Sequence, residues 1–435
     1  MQRDSFNNLP KINKEDAINI LKNPISEVNL SSDYYKAVFH LAEFPCEESE
    51  TILLDFIKSD FHQLEFKIAK RKAIEVLAFL DCKKAIPIIG GFLENDDPYL
   101  VETAIWSLGK LKCDDKHIIN KICSILYKQF NNKRVVIQVL TTLGIKKEIE
   151  KIRSLSQDRQ SSNGVKGASL AALIKLSGEE DKLSKLTDLL SLSNQNDRHC
   201  AVYDLVNAGK LSVIPFLIKA PISPSFKIQA IDSLWVNESL CIENVNLLDS
   251  LDSVIIDDPK EINTLEIKNF KKDIKFLIEQ LFHTDFNRCY QSMKELEKHN
   301  SDVVLYYLNM NWERAKLDYG AIYFFINAYK FLLEKGYYDK SMIKKLDFIL
   351  SDNWPDNMKF RSSAIQVLGC LKGIRSLNYF NDFSDNRLTP YWKNRYTALL
   401  VSQNKKFGIK KDYANLFLND SHRFVRLKAK QICLD

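Results

Sequence analysis

The chain has 435 residues, 45% hydrophobic and 27% charged, the balance of a folded chain with a large core and not of a disordered one. Its 62 Lys and Arg against 56 Asp and Glu leave a net charge of +6, too thin a bias over this length to neutralise a nucleic-acid backbone, so no nucleic-acid partner is expected. Nine scattered Cys without a CxxC argue against a zinc site and for a reduced, cytoplasmic chain.

No run approaches the roughly 18 apolar residues of a membrane span, and the opening MQRDSFNNLPKINKED lacks the apolar stretch of a secretory leader. Gly (13) and Pro (11) are few, as expected of helices joined by short turns.

Taken in chain order, one template recurs: an Ala, a Leu four residues later and an apolar residue three further on. A loose copy is centred on Ala37. Clear copies follow at Ala73-Leu77-Leu80 and Ala104-Leu108-Leu111, then a loose one at Ala168. Ala201-Leu205-Ala208 is clear again, Ala230 loose, Ala364-Leu368-Leu371 clear, and Ala398 and Ala429 loose. Well-matched neighbours stand 31 to 33 residues apart. The i, i+4, i+7 spacing puts each triplet on one helical stripe, and the small Ala lets a partner helix approach.

Asp97-Pro98, Asp197, Asp356 and Asp420-Ser421 read as helix starts. Gly109, Gly144, Gly178, Gly209 and Gly369 read as left-handed helix ends. A single helix pair of 30–35 residues cannot bury its own apolar face, so the pairs must stack. The expected fold is all-α, an α-α superhelix of about a dozen HEAT-like helix pairs. The template degenerates between Ala230 and Ala364, and NVNLLDSLDSVIIDDPKEIN carries Asp257-Asp258 before Pro259. That stretch is the expected boundary between an N-terminal lobe (1–250) and a C-terminal lobe (251–435).

No GxGxxG, GxxxxGK[ST], GxSxG or HExxH is present, and the seven His are isolated, which leaves nucleotide, triad-hydrolase and metal chemistry without support. The chemistry then falls to the face built from the second helix of each pair. Residues just before or between the template positions should point there: Tyr99, Glu102 and Trp106; Arg198, His199 and Tyr203; Arg361; Trp392 and Arg395. Each also has a plainer reading: Trp106 as core, the arginines as partners of a neighbouring repeat's Asp, and the terminal HRFVRLKAK as a solvated cap. Taken together, aromatic planes alternating with Arg and carboxylates suit a flat conjugated ligand with acidic side groups.

The segments DPYLVETAIWSLGKL (97–111), RHCAVYDLVNAGK (198–210) and YWKNRYTALL (391–400) resemble the E/F-type phycobilin lyases of cyanobacteria. The opening FNNLPKINKEDAINIL with SSDYYKAVFHLAEFP is most similar to the long single-chain CpeY/MpeZ type. The resemblance implies an enzyme that binds an open-chain tetrapyrrole, phycoerythrobilin, as substrate and needs no cofactor. It would join the pigment through a thioether to a cysteine of an apo-phycoerythrin subunit, the α subunit in preference to the β. On this reading Arg198 and Arg395 hold propionates, Trp106 and Trp392 wall the groove, Tyr99 and Arg361 are further binding residues, and His199, Tyr203 or Glu102 delivers a proton.

His199-Cys200 are adjacent, as in a short motif of isomerising relatives, but the flanks differ, which favours a lyase without isomerisation. The alternatives are a lyase-isomerase giving phycourobilin, a non-enzymatic HEAT-repeat scaffold or chaperone for phycobilisome assembly, a HEAT-like DNA glycosylase, and a relative that detaches chromophores.

Overall fold

A computed structural model of the chain describes residues 12–23, 32–59, 63–130, 132–235, 241–242, 245–350, 360–372, 391–403 and 410–434. The first eleven residues, the expected helix start at Asp356 and the side chain of Leu371 lie outside this set. The described chain is helical, apart from turns and one antiparallel ladder pairing Cys241–Ile242 with Val245–Asn246. No described helix is long and apolar enough to cross a membrane. The helices are arranged as stacked pairs, the HEAT-like all-α architecture that the spacing predicts.

Two compact units divide the chain at 186/187. In the first, the second helices of successive pairs lie side by side: Asp33–Leu41, Leu64–Phe79, Pro98–Lys110, Lys133–Thr142 and Asn163–Ser177. The template explains their contact. Ala37, Ala73, Ala104 and Ala168 are fully buried, each where a larger side chain would hold two helices apart. The Pro98–Lys110 helix starts as expected. Asp97 accepts from the backbone N–H of Tyr99 at 3.0 Å and of Leu100 at 3.4 Å, and Pro98 occupies the first helical position, where its missing N–H costs nothing.

Gly144, Gly178 and Gly209 have the left-handed φ expected of helix ends. Gly109 and Gly369 do not: both lie inside helices. A Cβ on Gly109 would meet Val139 at 2.7 Å, and one on Gly369 would meet Val401 at 2.4 Å. These two glycines serve a close helix–helix approach, and each stands five residues after a template Ala.

The expected lobe boundary at 250/251 is also corrected. Helix Leu247–Ile256 belongs inside the second unit, against helices Arg361–Lys372, Trp392–Ser402 and Arg423–Leu434. Gln366 donates to the Ile255 carbonyl at 2.7 Å. Asp252 accepts from the Tyr396 hydroxyl at 2.6 Å and from Lys428. Asp257, at the helix end, accepts from Tyr290 at 2.7 Å and from Tyr323, with the Lys227 ammonium 3.9 Å away. Burial pushes the carboxyls of both aspartates up and Lys227 down to about 8. The loss of the template here marks a helix with a different job, and the packing is continuous across it.

Gly109→Ala tests the close approach. It is expected to cost about 1–3 kcal/mol in urea unfolding through overpacking, and adding Val139→Ala should recover part of that loss. A neutral Gly109→Ala would show that the helices can simply move apart.

Candidate functional site

In the first unit, the face formed by the second helices carries an open groove of about 720 Å³. Its lining follows one register. Counting from the template position (Ala37, Ala73, Ala104 and, by equivalence, Val136), the residue two before and the residue two after recur. Arg71 and Glu75 come from one helix, Glu102 and Trp106 from the next, Arg134 and Gln138 from the third, and Tyr35 from the first. Tyr99 extends the set one turn earlier and Phe79 one turn later. These positions lie on one stripe, about 160° round the helix from the buried alanines.

Three of the expected site residues, Tyr99, Glu102 and Trp106, therefore share one groove. Trp106 is exposed, and its ring stands 5.5 Å from that of Phe79, tilted by 53°. Tyr99 is 65% exposed and carries the Arg71 guanidinium 5.3 Å from its ring centre. Glu102 accepts from the Asn132 side-chain amide at 2.6 Å. Lys72 is bound to Glu75 at 2.8 Å, and Arg134 donates to the Gly164 carbonyl at 2.8 Å. The groove thus lines three cations and two carboxylates with aromatic rings, a surface fitted to a flat, weakly acidic molecule. Arg71, Glu75, Arg134 and Asn132 were not expected. The first three follow from applying the register to every copy, whereas Asn132 sits in the turn before a helix and has no template signal.

The remaining expected residues lie in the second unit. Arg198, Arg361 and Arg395 all stand three residues before a template Ala, and all three are buried. This register turns into the repeat interface. Arg198 donates to the carbonyls of Leu192 at 2.8 Å and Ser193 at 2.9 Å and pairs with Asp285. Arg395 grips Asp420 with two bonds, of 2.6 and 2.8 Å. Other copies repeat the device. Lys70 binds the Ser59 carbonyl, Lys227 that of Ile218, and Arg426 those of Asp420 and Ser421. At this position Arg198 and Arg395 are engaged by backbone carbonyls or a carboxylate of another turn, and Arg361 shares their burial, so the expectation that these arginines hold a ligand in an open groove is corrected.

Trp392 is likewise committed to packing. Its ring lies parallel to that of His422, 4.3 Å apart and 4° from coplanar. His199 and Tyr203, at the two open register positions of helix Gln195–Ala208, meet around Phe226. His199 stacks on it at 4.2 Å, and Tyr203 stands edge-on at 6.0 Å. Burial and the adjacent Arg198 guanidinium push the His199 imidazole below its ordinary value. No group of three or more His, Cys, Asp or Glu among the described residues could hold a metal ion.

Two outcomes follow. Arg395→Ala leaves Asp420 buried without its partner and is expected to cost about 3–5 kcal/mol of stability in denaturant unfolding. A loss below about 1 kcal/mol would contradict the structural role. Burial lowers His422 from 6.5 to about 4. Between those values the unfolded chain binds a proton that the folded chain refuses, so stability falls as pH drops from 6.5 towards 4. Thermal unfolding across that range should show a flatter slope for His422→Gln than for the parent chain.

No family model matches the chain. It is 32% identical over 412 residues to the bilin biosynthesis protein CpeY of Synechococcus sp. (strain WH8020), covering 93% of this chain and 98% of that one. It is 28% identical over 428 residues to the uncharacterized phycocyanin operon protein Y of Pseudanabaena tenuis (strain PCC 7409), covering 98% of both. Among solved structures, the complex of CpcE and CpcF of phycocyanin lyase from Nostoc sp. PCC7120 matches with 23% identity and a TM-score of 0.49, covering 58% of this chain and 99% of that one. With about a third of its residues shared with CpeY along nearly the whole of both chains, the protein belongs to the CpeY group of the HEAT-repeat, E/F-type phycobilin lyase family.

Proposed function

We propose that the protein is a bilin lyase that holds phycoerythrobilin in the groove of its first unit and joins it by a thioether to a cysteine of a phycoerythrin subunit, the α subunit in preference to the β. The observation that carries this reading is the groove itself: exposed aromatic planes, a carboxylate held by an amide and an excess of one cation, in a chain of the CpeY group. Such a lining matches an open-chain tetrapyrrole, with its conjugated rings, pyrrole N–H donors and propionate side chains.

The reaction adds a thiol across the ethylidene double bond of ring A. A carbon–sulfur bond forms, the double bond is consumed and the thiol proton ends on the adjacent ring carbon. The nucleophile comes from the partner. Two of this chain's own buried thiols support that division: burial pushes Cys82 up to about 11 and Cys289 higher still, so both stay protonated. The lyase supplies orientation, worth several kcal/mol when one carbon of a flexible pigment must meet one sulfur. Within the groove, Glu102 is the residue placed to accept a pyrrole N–H and to pass a proton, its position fixed by Asn132. The remaining double bonds of phycoerythrobilin stay where they are, and the reaction takes place in the cytoplasm, where thiols remain reduced.

Co-expression with a bilin pathway and separate α and β phycoerythrin subunits tests the reading. The coloured peptide should come from the α subunit, with phycoerythrobilin absorbance. Trp106→Ala should lower attachment about tenfold through lost stacking, and Glu102→Gln should slow it about a hundredfold while the pigment still binds. Wild-type protein yielding no pigmented subunit would overturn the lyase reading, and a phycourobilin-type band would replace the plain lyase with an isomerising one.

A further inference from the structure

The groove's three cations are not equivalent. Lys72 is nearly buried and bound to Glu75 at 2.8 Å. Arg134 is drawn to the Gly164 carbonyl. Arg71 differs. Its Nε donates to the Lys67 carbonyl of its own helix at 3.3 Å, its guanidinium lies over the exposed Tyr99 ring, and its two terminal nitrogens have no protein partner among the described residues. A guanidinium held at Nε and braced on an aromatic face loses little freedom when its remaining fork closes on a carboxylate.

We infer that Arg71, braced by Tyr99, is the carboxylate-reading residue of the groove and fixes which way round an acidic tetrapyrrole lies in it. This rests on the bilin reading above and adds to it. Arg71 and Glu102 occupy the same register on neighbouring helices, roughly 8–10 Å apart at ordinary helix spacing. A ligand that gives a carboxylate to Arg71 therefore lays its ring N–H groups across towards Glu102, and the reverse orientation would set carboxylate against carboxylate. Arg198 and Arg395, the arginines expected from the sequence to hold propionates, are both buried.

Absorbance titration of the full chain with phycoerythrobilin and with its dimethyl ester tests the assignment, because the ester keeps the rings and removes the acids. The parent chain should prefer the free acid. Arg71→Ala should weaken free-acid binding about tenfold and change ester binding less than twofold. Arg71→Lys, which keeps the charge without the fork, should retain part of the preference for the acid. Equal weakening of both ligands by Arg71→Ala, or no weakening of either, overturns the role of Arg71 and leaves the bilin reading standing. A parent chain that binds neither ligand overturns the bilin reading and this assignment together. A general loss of packing would not move the acid-to-ester ratio, so that ratio separates recognition from stability.

Discussion

The structure depends on how closely one helix of each pair can approach its counterpart in the next. A fully buried alanine sets that distance in copy after copy, and the 3.6-residue turn then fixes what every other position does. Three residues earlier the side chain enters the repeat interface, where a cation must find carbonyls or a carboxylate. Two residues either side it faces the open surface. A shift of one position thus separates Arg198, enclosed and paired with Asp285, from His199, stacked on Phe226. The same arithmetic places Arg71, Glu102 and Arg134 in a row along the groove.

The two units use that scaffold differently. In the first, the face of the second helices carries the 720 Å³ groove. In the second, helix Leu247–Ile256 lies against three later template helices and brings two aspartates into the interior. The ion pairs there are bought with hydrogen bonds from tyrosines, since burial alone drives Asp257 and Lys227 towards their neutral forms. Arg361, Arg395 and Trp392 are structural because their helices are enclosed by their neighbours. The proposed pigment site accordingly draws on the first unit alone.

The architecture was legible because its signal is periodic and local: the alanine stripe, the Asp97-Pro98 start and the glycines at 144, 178 and 209 each act within a few residues. Gly109 and Gly369 were misread because a glycine near a helix end looks the same whether it serves a left-handed φ or a close approach; only Val139 and Val401, distant in sequence, decide the matter. Tyr99, Glu102 and Trp106 fall together in one groove because they share an apolar helix with a clear template. The arginines misled because charge type was weighed above register. Helix Leu247–Ile256 could not be anticipated: LLDSLDSVII reads as one more amphipathic segment, and its role is set by residues more than a hundred positions away.

Helical repeat arrays ordinarily behave as one-dimensional stacks in which each unit feels only its neighbours, so they unravel from their ends. The bond between Asp252 and Lys428 spans 176 residues, and that between Asp252 and Tyr396 spans 144. These ties clasp the last helix to the middle of the chain. The tail of the second unit therefore cannot fray by itself, and its melting becomes a single cooperative event instead of an unzipping.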